Sequence, residues 1–292
     1  MKNNNIPACV NKILKNNYGL KILSSIFLGI QLSEINSVSY IHGCINVYTD
    51  KSFYKLQLCG KGLELDIINR DKIYREMREY LYPIQILNKR LLCIRAPLCI
   101  RGKILDEHIE KIVCDFRKNS RKVRFDYRRY YILKAGLERL DKCKNGIKAR
   151  NLVCKYFERN CREYVHEGIV HGDFHSGNIL FRNNEELVMI DFDCSRLRDI
   201  QEVDILYYYL QEAVSKYKNM LMWQSVWMYI FANISQLREV ELIVKYIKMD
   251  LNLAWIILFI ERIGQEDDRN EEYGILNRAV CRIINYIQKL ND

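Results

Sequence analysis

The chain has 292 residues, of which 49% are hydrophobic and 28% charged, with only 3 Pro and 13 Gly. That balance excludes a collagenous, linker-type or largely disordered protein and leaves room for two lobes or domains. Lys and Arg outnumber Asp and Glu by 46 to 36, a formal charge of +10, which favours anionic ligands or surfaces without choosing among them.

A short helical pattern covers Ile6–Asn17, and the apolar run Leu20–Gln31 is expected to form a first strand. The stretch Leu20–Leu32 contains Lys21 and lacks a small-residue cleavage site, so it does not read as an export signal. Cys44–Thr49 alternates in strand fashion, Asp50-Lys51-Ser52 supplies a turn, and Phe53–Cys59 returns. From Ile67 to about Leu81 the pattern is helical, and Pro83 ends it. Arg90–Arg95 and Leu98–Ile100 read as further strands.

From Leu105 onward the spacing is mostly helical, over Asp106–Phe116, Tyr127–Leu140 and Ile147–His166. An island of strand and loop at Gly168–Cys194 interrupts it. Helices resume near Ile200–Lys216, Met220–Ile234, Val240–Gly264 and Glu272–Leu290. No apolar stretch reaches the ~20 residues that a spanning helix needs, so no membrane span is expected. The 11 cysteines include no C-x-x-C pair and read as reduced thiols of a cytoplasmic protein. Arg117–Arg129 carries seven basic residues interleaved with Phe125 and Tyr127; such a run is expected to be a solvated helix face and loop, not a nucleic-acid site. The acidic stretch Gln265–Glu272 is either a solvated loop or a wall for a cationic substrate. Trp223, Trp227 and Tyr229 are either helix core or an aromatic wall.

The island holds the sharpest pattern. His171-Gly172-Asp173-Phe174-His175-Ser176-Gly177-Asn178 precedes the apolar Ile179-Leu180-Phe181, and a turn leads to Leu187–Ile190 and then Asp191-Phe192-Asp193. Two short strands around that turn would bring Asn178 and Asp191 side by side. Phosphoryl transfer needs such a set, because catalysis there is mainly positioning plus neutralisation of phosphate charge. Magnesium takes oxygen ligands from one or two carboxylates and from phosphates. Asp191 and the Asn178 amide oxygen can supply those ligands, leaving Asp173 to align a hydroxyl and accept its proton.

Protein kinases carry the same Asp-to-Asn spacing in H-R-D-L-x-x-x-N, with Gly172 here in place of the Arg and Asp193 in place of the Gly of the metal-binding triplet. The form H-G-D-x-H-x-x-N followed by I-D-F-D resembles the aminoglycoside phosphotransferase and choline kinase-like family, from about Val38 to Tyr209. The resemblance implies an α+β, two-lobed protein-kinase-like fold: a β-rich lobe over residues 1–96, a hinge over 97–104, and a mainly helical lobe over 105–292. It implies ATP and Mg2+ as partners and a small-molecule hydroxyl (sugar, amino alcohol or aminoglycoside-like) as acceptor. Lys55 would reach the phosphates and a helix carboxylate, Glu76 or its rival Glu79, would hold it. Ser39 and Gly43 would cover the phosphates in a poorly marked loop, and hinge backbone about Cys99 would pair with adenine. His171 and His175 would order the catalytic loop, with Asp204 accepting hydrogen bonds from its backbone. The composition also resembles the spore-coat kinase-like proteins, in which such a chain would be an assembly component with vestigial catalysis.

Overall fold

The structure, a computed structural model, describes residues 16–41, 43–88, 92–182, 186–215, 238, 240–265 and 273–290. In chain order its first elements are α1 (Asn17–Leu28), β1 (Ser37–Ile41), β2 (Cys44–Tyr48), β3 (Ser52–Gln57), α2 (Gly62–Met77), β4 (Gln85–Asn88) and β5 (Cys93–Pro97). Next come α3 (Asp106–Lys118), β6 (Arg121–Arg124), α4 (Tyr131–Leu140), α5 (Gly146–Arg159), β7 (Tyr164–Val170), β8 (Ile179–Arg182), β9 (Glu186–Met189) and β10 (Arg196–Ile200). The last are α6 (Glu202–Ser215), α7 (Glu241–Tyr246), α8 (Leu251–Gln265) and α9 (Tyr273–Lys289). The chain divides into two compact units: Met1–Lys103 with Gly177–Asp193, and Ile104–Ser176 with Cys194–Asp292.

The first unit is built on a five-stranded antiparallel sheet of order β1-β2-β3-β5-β4. Strand β3 is central, with Lys55 opposite Asn46 on one side and Ile94 on the other. Its alternating burial puts Ser52, Tyr54 and Leu56 on one face and Phe53, Lys55 and Gln57 on the other, as the two-residue period of a strand requires. Tyr54 and Leu56 pack with Leu20, Ile35, Val38 and Val47.

The run expected to be a first strand is instead helix α1. Asn16 caps it by accepting the Tyr18 and Gly19 amides at 2.9 and 3.2 Å, and Gly29 closes it at φ 65. An apolar run without alternation does not distinguish strand from helix, and the flanking Asn and Gly decide. The hairpin β8–β9 joins this unit although it lies far along the chain. Ile100 and Phe181 exchange backbone hydrogen bonds at 3.0 and 2.9 Å, and Met189 N–H donates to Tyr80 O at 2.7 Å.

The second unit is mainly helical and carries a three-stranded antiparallel sheet of order β10-β7-β6. Part of the basic run is neither helix nor loop: Arg121–Arg124 forms the edge strand β6, where exposed cations oppose pairing with another chain. The helix expected over Ile147–His166 stops at Arg159, and Tyr164 opens β7. The one expected over Val240–Gly264 is two helices, because Asp250 caps α8 by accepting the Leu253 N–H at 2.8 Å. Trp223, Trp227, Tyr229 and residues 266–272 lie outside the described residues. No disulfide forms among the described cysteines. Among the described residues no helix is long and apolar enough to cross a membrane.

Helix α8 is buried along nearly its whole length and meets α4 backbone to backbone. A Cβ on Gly136 would stand 2.1 Å from Ile260 O, and one on Gly264 would stand 2.4 Å from Ile132 O. Neither carbonyl belongs to a side chain that can swing away, so the helices would have to separate. Gly136→Ala should therefore destabilise the fold by about 1–3 kcal/mol or more, despite the better helix propensity of Ala. Denaturant unfolding checks this; unchanged stability would mean that the close approach is not a constraint.

Candidate active site

In the first unit, Lys55 Nζ lies 2.9 Å from Asp191 Oδ1, with side chains 20% and 45% exposed. Burial works to lower the Lys55 pKa, but Asp191, and Asp66 beyond it, raise it further, so the ammonium is kept charged. Asp191 has φ 58, a left-handed conformation that costs a non-glycine residue energy and persists only when its surroundings enforce it. Helix α2 enforces it. Asp66 Oδ1 accepts the Phe192 N–H at 2.7 Å, and Asn69 Nδ2 donates to the carbonyls of Phe192 and Asp193 at 2.9 and 3.1 Å. Arg70 lies over the Phe192 ring, 5.3 Å from its centroid. Asn178 is buried in a 3-10 turn ahead of β8, and its carbonyl accepts the Ile190 N–H at 3.0 Å. The hairpin thus brings Asn178 next to the segment that ends in Asp191.

The helix carboxylate that bears on Lys55 is Asp66, not Glu76 or Glu79. On α2 the buried positions are Leu63, Asp66, Arg70, Ile73 and Met77, a stripe at three- and four-residue spacing. Glu76 stands off that stripe and is exposed, as is Glu79 in the turn beyond. Burial pushes the Asp66 carboxyl up, against Arg70 and the Phe192 N–H. Asp66, Asn69 and Arg70 were the residues that the sequence hid, and the signal was the place of Asp66 and Arg70 on the same stripe as Leu63 and Ile73, with half-buried Asn69 beside it. Ser39 sits within β1, paired with Asn46. Gly43, at φ 79, lies in a tight turn where Ile41 pairs with Cys44, and its carbonyl accepts the Leu58 and Cys59 amides. Cys99 is half-buried between Leu98, whose N–H donates to Lys51 O, and Ile100, whose backbone is taken by Phe181.

In the second unit, Asp204 on α6 accepts the His171 N–H at 2.6 Å on Oδ2 and the Gly172 N–H at 3.0 Å on Oδ1. Burial pushes its carboxyl up to about 6, with the two N–H donors pulling it back. Gly172 has φ 78, and a Cβ there would meet Cys194 O at 2.3 Å, so glycine is required. His171 Nδ1 accepts the Asp173 N–H at 3.3 Å. Asp173 is 31% exposed, with His175 Nε2 3.4 Å from Oδ2 and Arg262 Nη2 3.7 Å from Oδ1. Burial alone would raise its carboxyl, but His175 and Arg262 override it and hold the group well below the ordinary carboxylate range.

The donor set fits a magnesium ion better than a transition metal. Among the described residues no group of three His, Cys, Asp or Glu side chains is placed to hold a metal. What is present is one half-exposed carboxylate with Lys55 on a single oxygen, and an amide at the adjacent turn. Magnesium is commonly held by one or two protein oxygens together with phosphate oxygens and water.

The family model described as the phosphotransferase enzyme family matches residues 76–203, a span that includes the Asp173 loop and Asp191. No curated protein sequence matches the chain. Among solved structures, choline kinase LicA from Streptococcus pneumoniae is 14% identical, covering 91% of this chain and 99% of that one at a TM-score of 0.49. An ADP-bound aminoglycoside phosphotransferase APH(2'')-Ib is 14% identical, with 96% and 97% covered and a TM-score of 0.47. A fructosamine-3-kinase homologue from Thermobifida fusca is 13% identical, with 79% and 93% covered and a TM-score of 0.42.

Removing the Asp204 carboxylate leaves two buried N–H groups without acceptors, each a loss of about 1–3 kcal/mol. Asp204→Ala should thus lower stability by roughly 2–6 kcal/mol, and Asp204→Asn, which keeps one oxygen, by less. Hydrogen exchange at the Gly172 amide gives the local reading. Wild-type protection of that amide in Asp204→Ala would show that the carboxylate does not hold the loop.

Proposed function

We propose that this chain, whose residues 76–203 match the model of the phosphotransferase enzyme family, is an ATP- and magnesium-dependent kinase acting on a hydroxyl of a small molecule. The observation that carries the reading is the Lys55–Asp191 ion pair. It sets a charged ammonium from a central strand beside a half-exposed carboxylate that the backbone is strained to present. A merely structural pair would not need the left-handed Asp191.

Lys55 holds the nucleotide phosphates by charge, and Asp66 and Asp191 keep it protonated and aimed. Asn178 and Asp191 supply the oxygens for magnesium, which when bound neutralises phosphate charge as the transfer proceeds. Ser39 and Gly43 lie at the hairpin that covers the phosphates. The hinge at 97–104 offers adenine the backbone of Cys99, since the neighbouring Leu98 and Ile100 amides are already engaged. Residues 1–96 and the β8–β9 hairpin thus carry the nucleotide, and the helical remainder of the chain carries the acceptor.

Asp173 is the base. The acceptor oxygen bonds to the γ-phosphorus, the bond from phosphorus to the bridging oxygen of ADP breaks, and the acceptor proton passes to the Asp173 carboxylate. A carboxylate held this far below its usual range is a weak base. That suffices where the transition state is loose and proton transfer late, so that orientation of the hydroxyl matters more than basicity. His171, His175 and Asp204 fix the loop that aims it.

Thermal stabilisation by ATP, with and without magnesium, tests the nucleotide site. Ligand at a hundredfold over Kd adds about 2.7 kcal/mol to the folded state. A magnesium-dependent rise in Tm that Asp191→Asn removes is expected. No rise at millimolar nucleotide would reject the kinase reading and favour the assembly role of the spore-coat kinase-like proteins.

Asp173→Ala should keep that rise in Tm and lose turnover, so that equal loss of both would misplace the base. The pH dependence has a definite sign. A carboxyl whose pKa is depressed on folding works above the folded value and fails only as pH falls through it. Release of ADP should accordingly show no acid limb from Asp173 between about pH 5 and pH 8, the ordinary Asp value being about 3.9.

A further inference from the structure

Helix α8 brings Arg262 against the loop that carries Asp173, and nothing in the reaction outlined above uses it. Its guanidinium is buried and lies over the Tyr207 ring, 4.1 Å from the centroid. Nη1 donates to Gly172 O at 2.9 Å, while Nη2 stands 3.7 Å from Asp173 Oδ1. One planar fork therefore engages two consecutive residues, the first through its backbone and the second through its carboxylate. A turn further on, Gln265 Nε2 donates to the same Gly172 carbonyl at 3.1 Å and to Glu261 Oε1 at 3.0 Å. Glu261 is also bonded by Arg196, which bonds Asp199 as well.

We infer that Arg262 is the positioning residue for Asp173, locking the loop carbonyl and the carboxylate in one orientation from the buried helix α8. The inference rests on Asp173 being the base. Gly172 is what makes the contact possible. At φ 78 and with no Cβ, it lies against Cys194 O and Arg196 Nη1, with its N–H on Asp204 and its carbonyl on Arg262 and Gln265. Asp173 is then held from both sides, Arg262 on Oδ1 and His175 on Oδ2. The other charged or titratable groups that bear on it are His171 on its own loop and Tyr207 on α6. A lysine cannot replace the fork, because its single nitrogen cannot reach both partners with fixed geometry. Tyr207 fixes the plane of the guanidinium, which a flexible ammonium would not share.

A structural role alone would be met by any side chain that fills the space beside Tyr207, so the test reads charge and geometry at Asp173. Arg262→Met and Arg262→Lys are each compared with wild type in two measurements. The first is ADP release from magnesium-ATP, resolved into kcat and KM. Misplacing a reacting group by about 1 Å costs about 100-fold, so Arg262→Met should lower kcat by that order and leave KM for ATP within about twofold. Arg262→Lys should recover only part of the loss.

The second measurement needs no turnover. Water-soluble carbodiimide labels protonated carboxyls, and peptide mass spectrometry at pH 5 reports how much of Asp173 is modified. Labelling should rise several-fold in Arg262→Met and stay near wild type in Arg262→Lys, which keeps the charge. Wild-type labelling of Asp173 in a folded Arg262→Met protein overturns the inference. If that variant does not fold, wild-type kcat in Arg262→Lys overturns it equally. A wild-type protein that releases no ADP sinks the base assignment instead, and the labelling still decides whether Arg262 holds Asp173.

Discussion

The loops that carry Asp173 and Asp191 each have a left-handed residue in them, and a buried helix carboxylate takes backbone amides at or beside that residue. Gly172 stands at φ 78 with its own N–H and that of His171 on Asp204. Asp191 stands at φ 58 with the next N–H, that of Phe192, on Asp66. Left-handed residues turn the chain sharply and leave amides that no helix or strand ladder satisfies. Inside a protein such an amide would cost about 1–3 kcal/mol if unpaired, so the carboxylate both stabilises the loop and dictates its path. Asp66 and Asp204 are buried for that purpose, which is why burial raises both of their pKa values while the bonded amides pull them back.

The surrounding charges follow the same logic. A buried carboxylate without a partner is expensive, and pairing it recovers the energy only when geometry is good and the remaining lone pairs are used. In the second unit Arg196 lies between Asp199 and Glu261, and Arg262 lies between Asp173 and the Tyr207 ring. Every one of these partners is on a strand, a helix or the Asp173 loop itself, so moving any one of them exposes an unpaired charge. In the first unit the arrangement is lighter. Lys55 is anchored by a central strand and shared between Asp191 and the more remote Asp66. Asp191 remains half-exposed, as a residue must be if it is to meet a ligand.

What the sequence revealed and what it hid separate along physical lines. The placement of Asn178 beside the segment that ends in Asp191, and of Asp173 on the loop before them, was legible because it is local, set by loop spacing and one hairpin. Lys55 was legible because a strand fixes which residues share its face. Asp66 was hidden because two of the five buried positions on α2 are charged, while Leu65, Ile68 and Tyr74 are exposed on its other sides. The hydrophobic stripe that would normally mark a buried face is broken by the residues that matter. The same inversion misled the reading of Leu20–Gln31, an apolar run that is a helix with Tyr18, Ile22 and Ile26 exposed on one side. Basic Arg121–Arg124 was masked in the opposite sense, its cations marking an edge strand that has nothing to bury on one side.

Helix α8 shows why the second unit needs its apolar bulk. From Leu253 to Ile263 every residue is buried, yet the helix carries Glu261 and Arg262 near its end. Two adjacent charges could not be placed there unless the rest of the helix were anchored firmly enough to offset their desolvation. Gly136 and Gly264 provide that anchoring by letting α4 and α8 approach until the backbone of each leaves no room for a Cβ on the other. Close packing maximises dispersion contacts and removes freedom to slide or rotate. A rotation of α8 by one residue would turn Arg262 away from Gly172 by about 100°. The fit of two glycines against backbone, remote from any loop, therefore fixes the direction of the guanidinium and, through it, that of the Asp173 carboxylate.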